Sequence, residues 1–408
     1  MWMSGNGVIG AAERESVLER QRTLKMARSA HAYVRGNTLK FYEWLGTLAR
    51  GTLPEGPPVW ICGDCHLGNL GPLADAEGRV EIQIRDLDQT VIGNPTHDLV
   101  RLGLSLASAA RGSNLPGVVT ARMLDEMVRG YALGLAGPAA REGAQEAAQE
   151  AAQEPEVVRV VRRRALGRRW KHLARERLKD VEPAIPLGRK FWALEPTERE
   201  AIEALFRSEG VRDLVLALNR RSPQAEVRLI DAAYWMKGCS SLGFLRYAAL
   251  VRIAEPEGRS LALVDLKEAV RAAAPPAPGV RMPEDPAERV VAGARALSPA
   301  LGERMLPARL LGRPVVLREL LPQDLKLDVD QFSREEAVAA AHYLARVVGR
   351  AHGGQMPEAD RAAWREEVLR DRRQADGAPS WLWSSVVELA GRHEVGYLEH
   401  CRRYAEAA

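Results

Sequence analysis

The 408-residue chain has little of several things that would narrow its class. Its four cysteines, Cys62, Cys65, Cys239 and Cys401, are too few for a disulfide framework. Cys62-x-x-Cys65 has no second pair to complete a zinc site, so these thiols read as bystanders inside another motif. No apolar run approaches the roughly 18 residues of a membrane span, and no membrane partner is expected. The opening MWMSGNGVIG lacks the basic and long apolar regions of a secretory signal, so a reduced, cytoplasmic setting is expected. Neither sign of charge dominates. With 58 Lys and Arg against 54 Asp and Glu, the net charge is +4, and no nucleic-acid partner is expected.

What is present is an ordinary globular composition, 46% hydrophobic and 27% charged, long enough for two or three domains or one two-lobed enzyme. Residues 12–50 have helical spacing, interrupted at Gly36-Asn37. Residues 58–62 form a short β-prone run, and 80–85 alternate strictly as a strand, with a turn over 75–78. A helix is expected from Asp98, capped by Asp98 or Thr96. Residues 142–154 repeat EAAQ-like units and read as a low-complexity spacer helix. The basic run 159–179 reads as a solvated helix face, with a site for an anionic substrate as the sharper alternative. A hairpin is expected from 247–253 and 261–267 around Glu255-Pro256-Glu257-Gly258. A helix over 286–297, a strand over 314–317 and helices over 333–352, 357–374 and 380–406 complete the order.

The chemistry is concentrated in Gly-Asp-Cys-His-Leu-Gly-Asn, residues 63–69. Phosphoryl transfer is mostly positioning and charge neutralisation. One carboxylate orients the nucleophile, another holds Mg²⁺ on the phosphates, and an amide oxygen completes the metal shell. Asp64 and Asn69 stand five residues apart, the spacing of a kinase base and metal-binding asparagine. Asp86 follows a strand–turn–strand in Ile84-Arg85-Asp86-Leu87-Asp88, where a second metal carboxylate would sit, with Asp88 as an additional ligand. His66 is read as orienting the loop. A metallophosphoesterase reading of Asp64-x-His66 needs a further Gly-Asn-His downstream, and none follows Asn69.

Residues 59–107 resemble the protein-kinase-like superfamily in its aminoglycoside and choline phosphotransferase branch. The likeness rests on Gly63–Asn69, Asp86 and the segment Gly93-Asn94-Pro95-Thr96-His97-Asp98-Leu99. It departs in Arg85, Leu87 and Asp88, where an Ile-Asp-Phe strand end is usual. Such enzymes also need a glycine-rich phosphate loop and a strand lysine, normally before the catalytic loop. Here both candidates follow it: Gly238-Cys239-Ser240-Ser241-Leu242-Gly243 opens the hairpin, and Lys267 ends its second strand. Glu288 is then the expected ion-pair partner of Lys267. Arg318-Glu319-Leu320 leads into a hinge-like segment. The order reads as a circular permutation, permissible when the joined ends lie close at the surface.

The whole arrangement resembles the bacterial family of domain of unknown function 2252. It is carried by 25–36 (KMARSAHAYVRG), GDCHLGN, Asp86 and Asp88, GCSSLG, 264–269 (VDLKEA) and 288–291 (ERVV). The resemblance implies an α+β, bilobal, protein-kinase-like fold, circularly permuted. A small antiparallel-sheet lobe is inserted after the catalytic loop of a large helical lobe. Residues 1–225 would form the large lobe with the catalytic loop, 226–325 the small nucleotide-binding lobe and hinge, and 326–408 the completing helices. The expected function is an ATP- and Mg²⁺-dependent phosphotransferase acting on an unidentified small molecule or protein. AMP transfer and a non-catalytic nucleotide-binding scaffold are the alternatives. Asp64 and His66 would be catalytic, and Asn69, Asp86 and Asp88 would bind metal. Gly238, Ser240, Ser241, Gly243, Lys267, Glu288 and Glu319 would bind the nucleotide. Because both reach one triphosphate, Lys267 and Asp86 should face each other within roughly 4–10 Å.

Overall fold

A computed structural model describes residues 9–136, 154–168, 184–218, 221–238, 242–256, 258–325, 333–370 and 377–405. Its opening helices are α1 (Ala11–Met26), α2 (Ala30–Gly36) and α3 (Thr38–Leu45); the break at Gly36-Asn37 is where the sequence placed it, and the break between Met26 and Ala30 is an additional one. Asn37 leaves helical geometry at φ −129°, ψ 63°, and its side chain accepts the Lys40 N–H, so one residue ends α2 and caps α3. Two short antiparallel pairs follow. Strand β1 (Val59–Ile61) pairs with β4 (Val91–Gly93), and β2 (Leu70–Ala74) with β3 (Val80–Ile84). The β2–β3 turn is held by Asp75, whose side chain accepts the N–H groups of Glu77 and Arg79.

Helix α4 (Pro95–Gly112) starts earlier than expected. Asn94 is its cap, accepting the Thr96 N–H, and Pro95 occupies the first turn. Asp98 and Thr96 are both fully buried and cap nothing. Helices α5 (Gly117–Ala136) and α6 (Glu156–Leu166) follow. The spacer 142–153 and the basic residues 169–179 lie outside the described residues.

Then come β5 (Phe191–Trp192), α7 (Pro196–Phe206), α8 (Glu209–Leu216), β6 (Glu226–Trp235), β7 (Arg246–Glu255) and β8 (Gly258–Glu268). Helices α9 (Pro286–Leu297) and α10 (Pro299–Gly302) lead to β9 (Met305–Leu310) and β10 (Arg313–Glu319). The chain ends in α11 (Arg334–Gly353), α12 (Glu358–Leu369) and α13 (Ser380–Ala405). Strands β5 to β10 form one six-stranded antiparallel sheet in the order β5-β6-β7-β8-β10-β9. The protein is thus a mixed α+β structure with antiparallel sheets.

Alternation sorts the two faces of this sheet. Tyr247, Val264, Leu266 and Leu317 point into an apolar cluster that also takes in Trp192, Ile202 and Phe206. The elements packed on the sheet therefore begin before residue 226. The opposite face carries Arg246, Asp265, Lys267 and Arg318. Arg246 and Lys267 are cross-strand partners, as are Asp265 and Arg318. A larger core joins α4, α5 and α11 through Leu99, Leu102, Tyr131 and Leu344, all fully buried. Val290, Val291 and Ala294 of α9 belong to that larger core, so α9 seats the sheet on the helical part. Where α5 crosses α11, Gly130, Gly134 and Gly349 lie against the facing backbone, and a Cβ at any of them would collide with a carbonyl oxygen. Among the described residues no helix is long and apolar enough to cross a membrane.

Candidate active site

The loop after β1 is fixed from behind. Gly63 has φ +73°, and a Cβ there would run into the Gln89 carbonyl, so the turn requires glycine. Asp98 takes the Cys62 and Gly63 N–H groups at 2.7 and 2.9 Å. It also lies 3.2 Å from His352 Nε2, at the end of α11. His352 Nδ1 is 3.0 Å from the Tyr131 hydroxyl, which accepts the Trp364 indole N–H at 3.0 Å. Nε2–H therefore donates to Asp98, and Nδ1 accepts from Tyr131. The helix expected over 333–352 thus ends beneath the loop, 254 residues away in sequence from Asp98.

Asp64 is drawn inward. Its Oδ1 accepts the Nε–H of the fully buried Arg101 at 2.8 Å, and Arg101 also donates to the Val34 carbonyl at 2.7 Å. Burial pushes the Asp64 carboxyl up, against the pull of Arg101. His66 is on the cavity wall, whereas Asp64 stands one layer behind it, with His66 Nε2 3.8 Å from Asp64 Oδ2. Burial, with the charges of Arg101 and Arg35, holds the His66 imidazole well below its usual range. Asn69 also lines the cavity. Its Nδ2 donates to the Asp64 carbonyl at 3.0 Å, leaving Oδ1 as the free end of the amide.

Across a cavity of about 460 Å³ lies the polar face of the sheet. Lys267 Nζ is 3.2 Å from Asp86 Oδ1 and in contact with Asp88 Oδ2, joining segments 181 and 179 residues apart. This direct ion pair is closer than the expected separation. Burial raises the Asp86 carboxyl, but Lys267, Arg246 and Arg318 together hold it well below the usual carboxylate range. Burial and the neighbouring Asp86 charge push Asp88 up. Burial depresses Lys267, but the two aspartates outweigh it and raise the ammonium group, which keeps its charge. Asp265 forms a buried fork with Arg246, at 2.9 and 2.5 Å, and Lys237 and Arg318 each lie 3.7 Å from it. Arg289 of α9 ties the Asp88 segment down by donating to the carbonyls of Asp88 and Val270, both at 2.9 Å, and of Thr90.

The structure brings Asn69, Asp86, Asp88, Lys267, His66 and Gly238 to this one cavity. Gly238, at φ +99°, accepts the Lys25 ammonium at 2.6 Å, and Gly243, at φ +106°, has open space around it. Ser240 and Ser241 lie outside the described residues. Two assignments are corrected. Glu288 is not the partner of Lys267. It is exposed in the first turn of α9, and the inward position is taken by the adjacent Arg289. Glu319 is off the cavity and 2% exposed. It is locked to Arg221 at 2.6 and 2.7 Å, and its carbonyl accepts Arg304 at 3.3 Å. Arg246, Asp265, Arg101 and the cavity arginine Arg28 were missed. Asp265 precedes Lys267 by two, the spacing that puts both on one strand face, and that was the available signal.

Among the described residues no group of three or more His, Cys, Asp or Glu is placed to hold a metal. Two carboxylates and an amide oxygen nonetheless fit Mg²⁺, which commonly takes one or two carboxylates and completes its shell with water and phosphate oxygens.

No curated protein and no solved structure matches the chain. One family model does, described as an uncharacterized protein conserved in bacteria (DUF2252), over residues 14–403. That match runs from α1 to α13 and takes in both walls of the cavity, and the chain belongs to this family.

Proposed function

We propose that the protein is an ATP- and Mg²⁺-dependent phosphotransferase with a circularly permuted, protein-kinase-like arrangement. The carrying observation is the meeting of Lys267 with Asp86 and Asp88 on the wall of a cavity that also holds Asn69. A strand lysine beside a carboxylate pair and an amide matches the division of labour in phosphoryl transfer. Asn69, Asp86 and Asp88 would hold Mg²⁺, which neutralises charge on the phosphates. Lys267 takes the phosphate oxygens in exchange for its present carboxylate partners. Asp64 with His66, whose Nε2 lies 3.8 Å from the Asp64 carboxylate, would orient the acceptor hydroxyl. Arg246 and Asp265 keep the sheet face polar and its charges fixed behind Lys267.

The test is thermal. ATP with Mg²⁺ raises the melting temperature of the parent, and the combined Asp86→Ala, Asp88→Ala variant loses the Mg²⁺-dependent part of that rise. A rise that survives unchanged in this variant removes the metal assignment. Product analysis then reads the reaction: ADP marks phosphoryl transfer, and pyrophosphate marks AMP transfer.

A further inference from the structure

We propose that the acceptor is a small phosphate monoester, its dianionic group held by Arg28 and Arg35 at the end of the cavity beside His66 and Gly68. This rests on the phosphotransferase reading and names its substrate class. Among the described residues the cavity wall carries eight Lys and Arg side chains against four Asp and Glu. Most of these cations are already engaged. Lys267 holds Asp86 and Asp88, and Arg246, Lys237 and Arg318 converge on Asp265. Arg85 donates to the Asp324 carbonyl and Lys25 to that of Gly238. Arg28 and Arg35, by contrast, have no side-chain hydrogen bond or ion pair among the described residues.

Their position is also specific. Arg35 lies flat on the loop, so that a Cβ at Gly68 would fall 2.6 Å from its Nη2. The residue at 68 must be small for the guanidinium to reach this place, between the two cavity residues His66 and Asn69. Behind it His66 is 5% exposed, and its Nδ1 has no hydrogen-bond partner among the described residues. Arg35 itself is aimed by its neighbour: the Val34 carbonyl is held by Arg101, the arginine that also holds Asp64.

Charge balance selects the ligand. The described residues of the wall have a surplus of four positive charges. The Mg²⁺ complex of ATP is a dianion and satisfies two of them. The remaining two match the two unpaired guanidinium groups and a phosphate monoester, which is itself close to a dianion at neutral pH. Guanidinium groups, with several N–H donors in one plane, also suit phosphate oxygens as acceptors.

The test uses inorganic phosphate as probe, titrated calorimetrically at constant ionic strength with saturating Mg²⁺ and a non-hydrolysable ATP analogue. Phosphate is expected to bind alongside the analogue, and acetate at least about tenfold more weakly. Arg35→Gln and Arg28→Gln should each weaken phosphate about tenfold or more, the scale of a lost charge-assisted hydrogen bond, with analogue affinity retained. Arg28 is exposed, so its variant keeps the test valid if Arg35→Gln disturbs the loop. Phosphate that competes with the analogue, variants that bind phosphate like the parent, or parallel loss of phosphate and analogue would each overturn the proposal. If the analogue fails to bind while phosphate still depends on both arginines, the anion subsite stands and the phosphotransferase reading falls.

Discussion

Replacing Asp98 by alanine tests the loop anchor directly. The side chain is fully buried and takes the N–H groups of Cys62 and Gly63 at 2.7 and 2.9 Å and of His352 at 3.2 Å. Alanine leaves all three donors in a space closed to water. Each buried unsatisfied donor costs about 1–3 kcal/mol, and part of this is relieved by relaxation, so a net loss of about 3–5 kcal/mol is expected. Asparagine keeps one carbonyl oxygen but turns an N–H₂ toward a second donor, so about half that loss is expected. Urea unfolding followed by tryptophan fluorescence reads the effect as a lower midpoint with an unchanged slope. Amide hydrogen exchange at Cys62 and Gly63 should quicken in the same order, alanine beyond asparagine beyond parent. An Asp98→Ala loss below about 1 kcal/mol would refute the reasoning, because it would mean that these N–H groups reach water.

Asp64→Asn should have two separable effects: turnover falls about 10²–10⁴-fold, and stability falls by about 3 kcal/mol because the buried Arg101 loses its counter-charge. Unchanged ADP release would remove Asp64 from the chemistry, and an unchanged urea midpoint would remove the ion pair from the fold. Gly63→Ala, which forces a Cβ into the Gln89 carbonyl at a positive φ, should cost at least about 2 kcal/mol, and a parent-like melting temperature would contradict it. Burial, with the charge of Arg101, pushes His393 down to about 4, whereas an unfolded histidine titrates near about 6.5. As pH falls the unfolded chain takes the proton first, so this contribution is intact above about 6.5 and is lost progressively toward about 4. His393→Gln should flatten that fall between pH 7 and 5, and an identical pH slope would show that the ring takes up its proton as readily in the native state as in the unfolded chain.

Short-range chemistry carried much of the legible part. The five-residue spacing of Asp64 and Asn69, the acid after a hairpin and the strand lysine are local patterns, and the structure brings Asn69, Asp86, Asp88 and Lys267 together. What stayed hidden depends on register and burial. Glu288 and Arg289 are adjacent in sequence, and only the rotation of α9 decides which faces inward. Asp98 in the first turn of a helix looks like a cap, and only its burial beneath β1 and His352 shows it to be a loop anchor. Strand β6 was missed because Glu226, Arg228 and Asp231 interrupt its apolar pattern and a register shift falls between Leu229 and Asp231. Glu319 read as part of a hinge because its partner Arg221 lies 98 residues away.

The crossing of α5 with α11 sets a timetable for synthesis. Met123, Met127, Tyr131 and Leu135 of α5 have no exposure in the finished protein. The helix that covers them leaves the ribosome roughly 200 residues later, a wait of about 10–40 s at usual elongation rates. During that interval the nascent chain displays a sticky apolar stripe, with glycines that let another backbone come close. The amino-terminal portion is therefore a natural client for holding chaperones. Release of a chain cut before residue 334 should yield aggregates rather than a smaller folded protein.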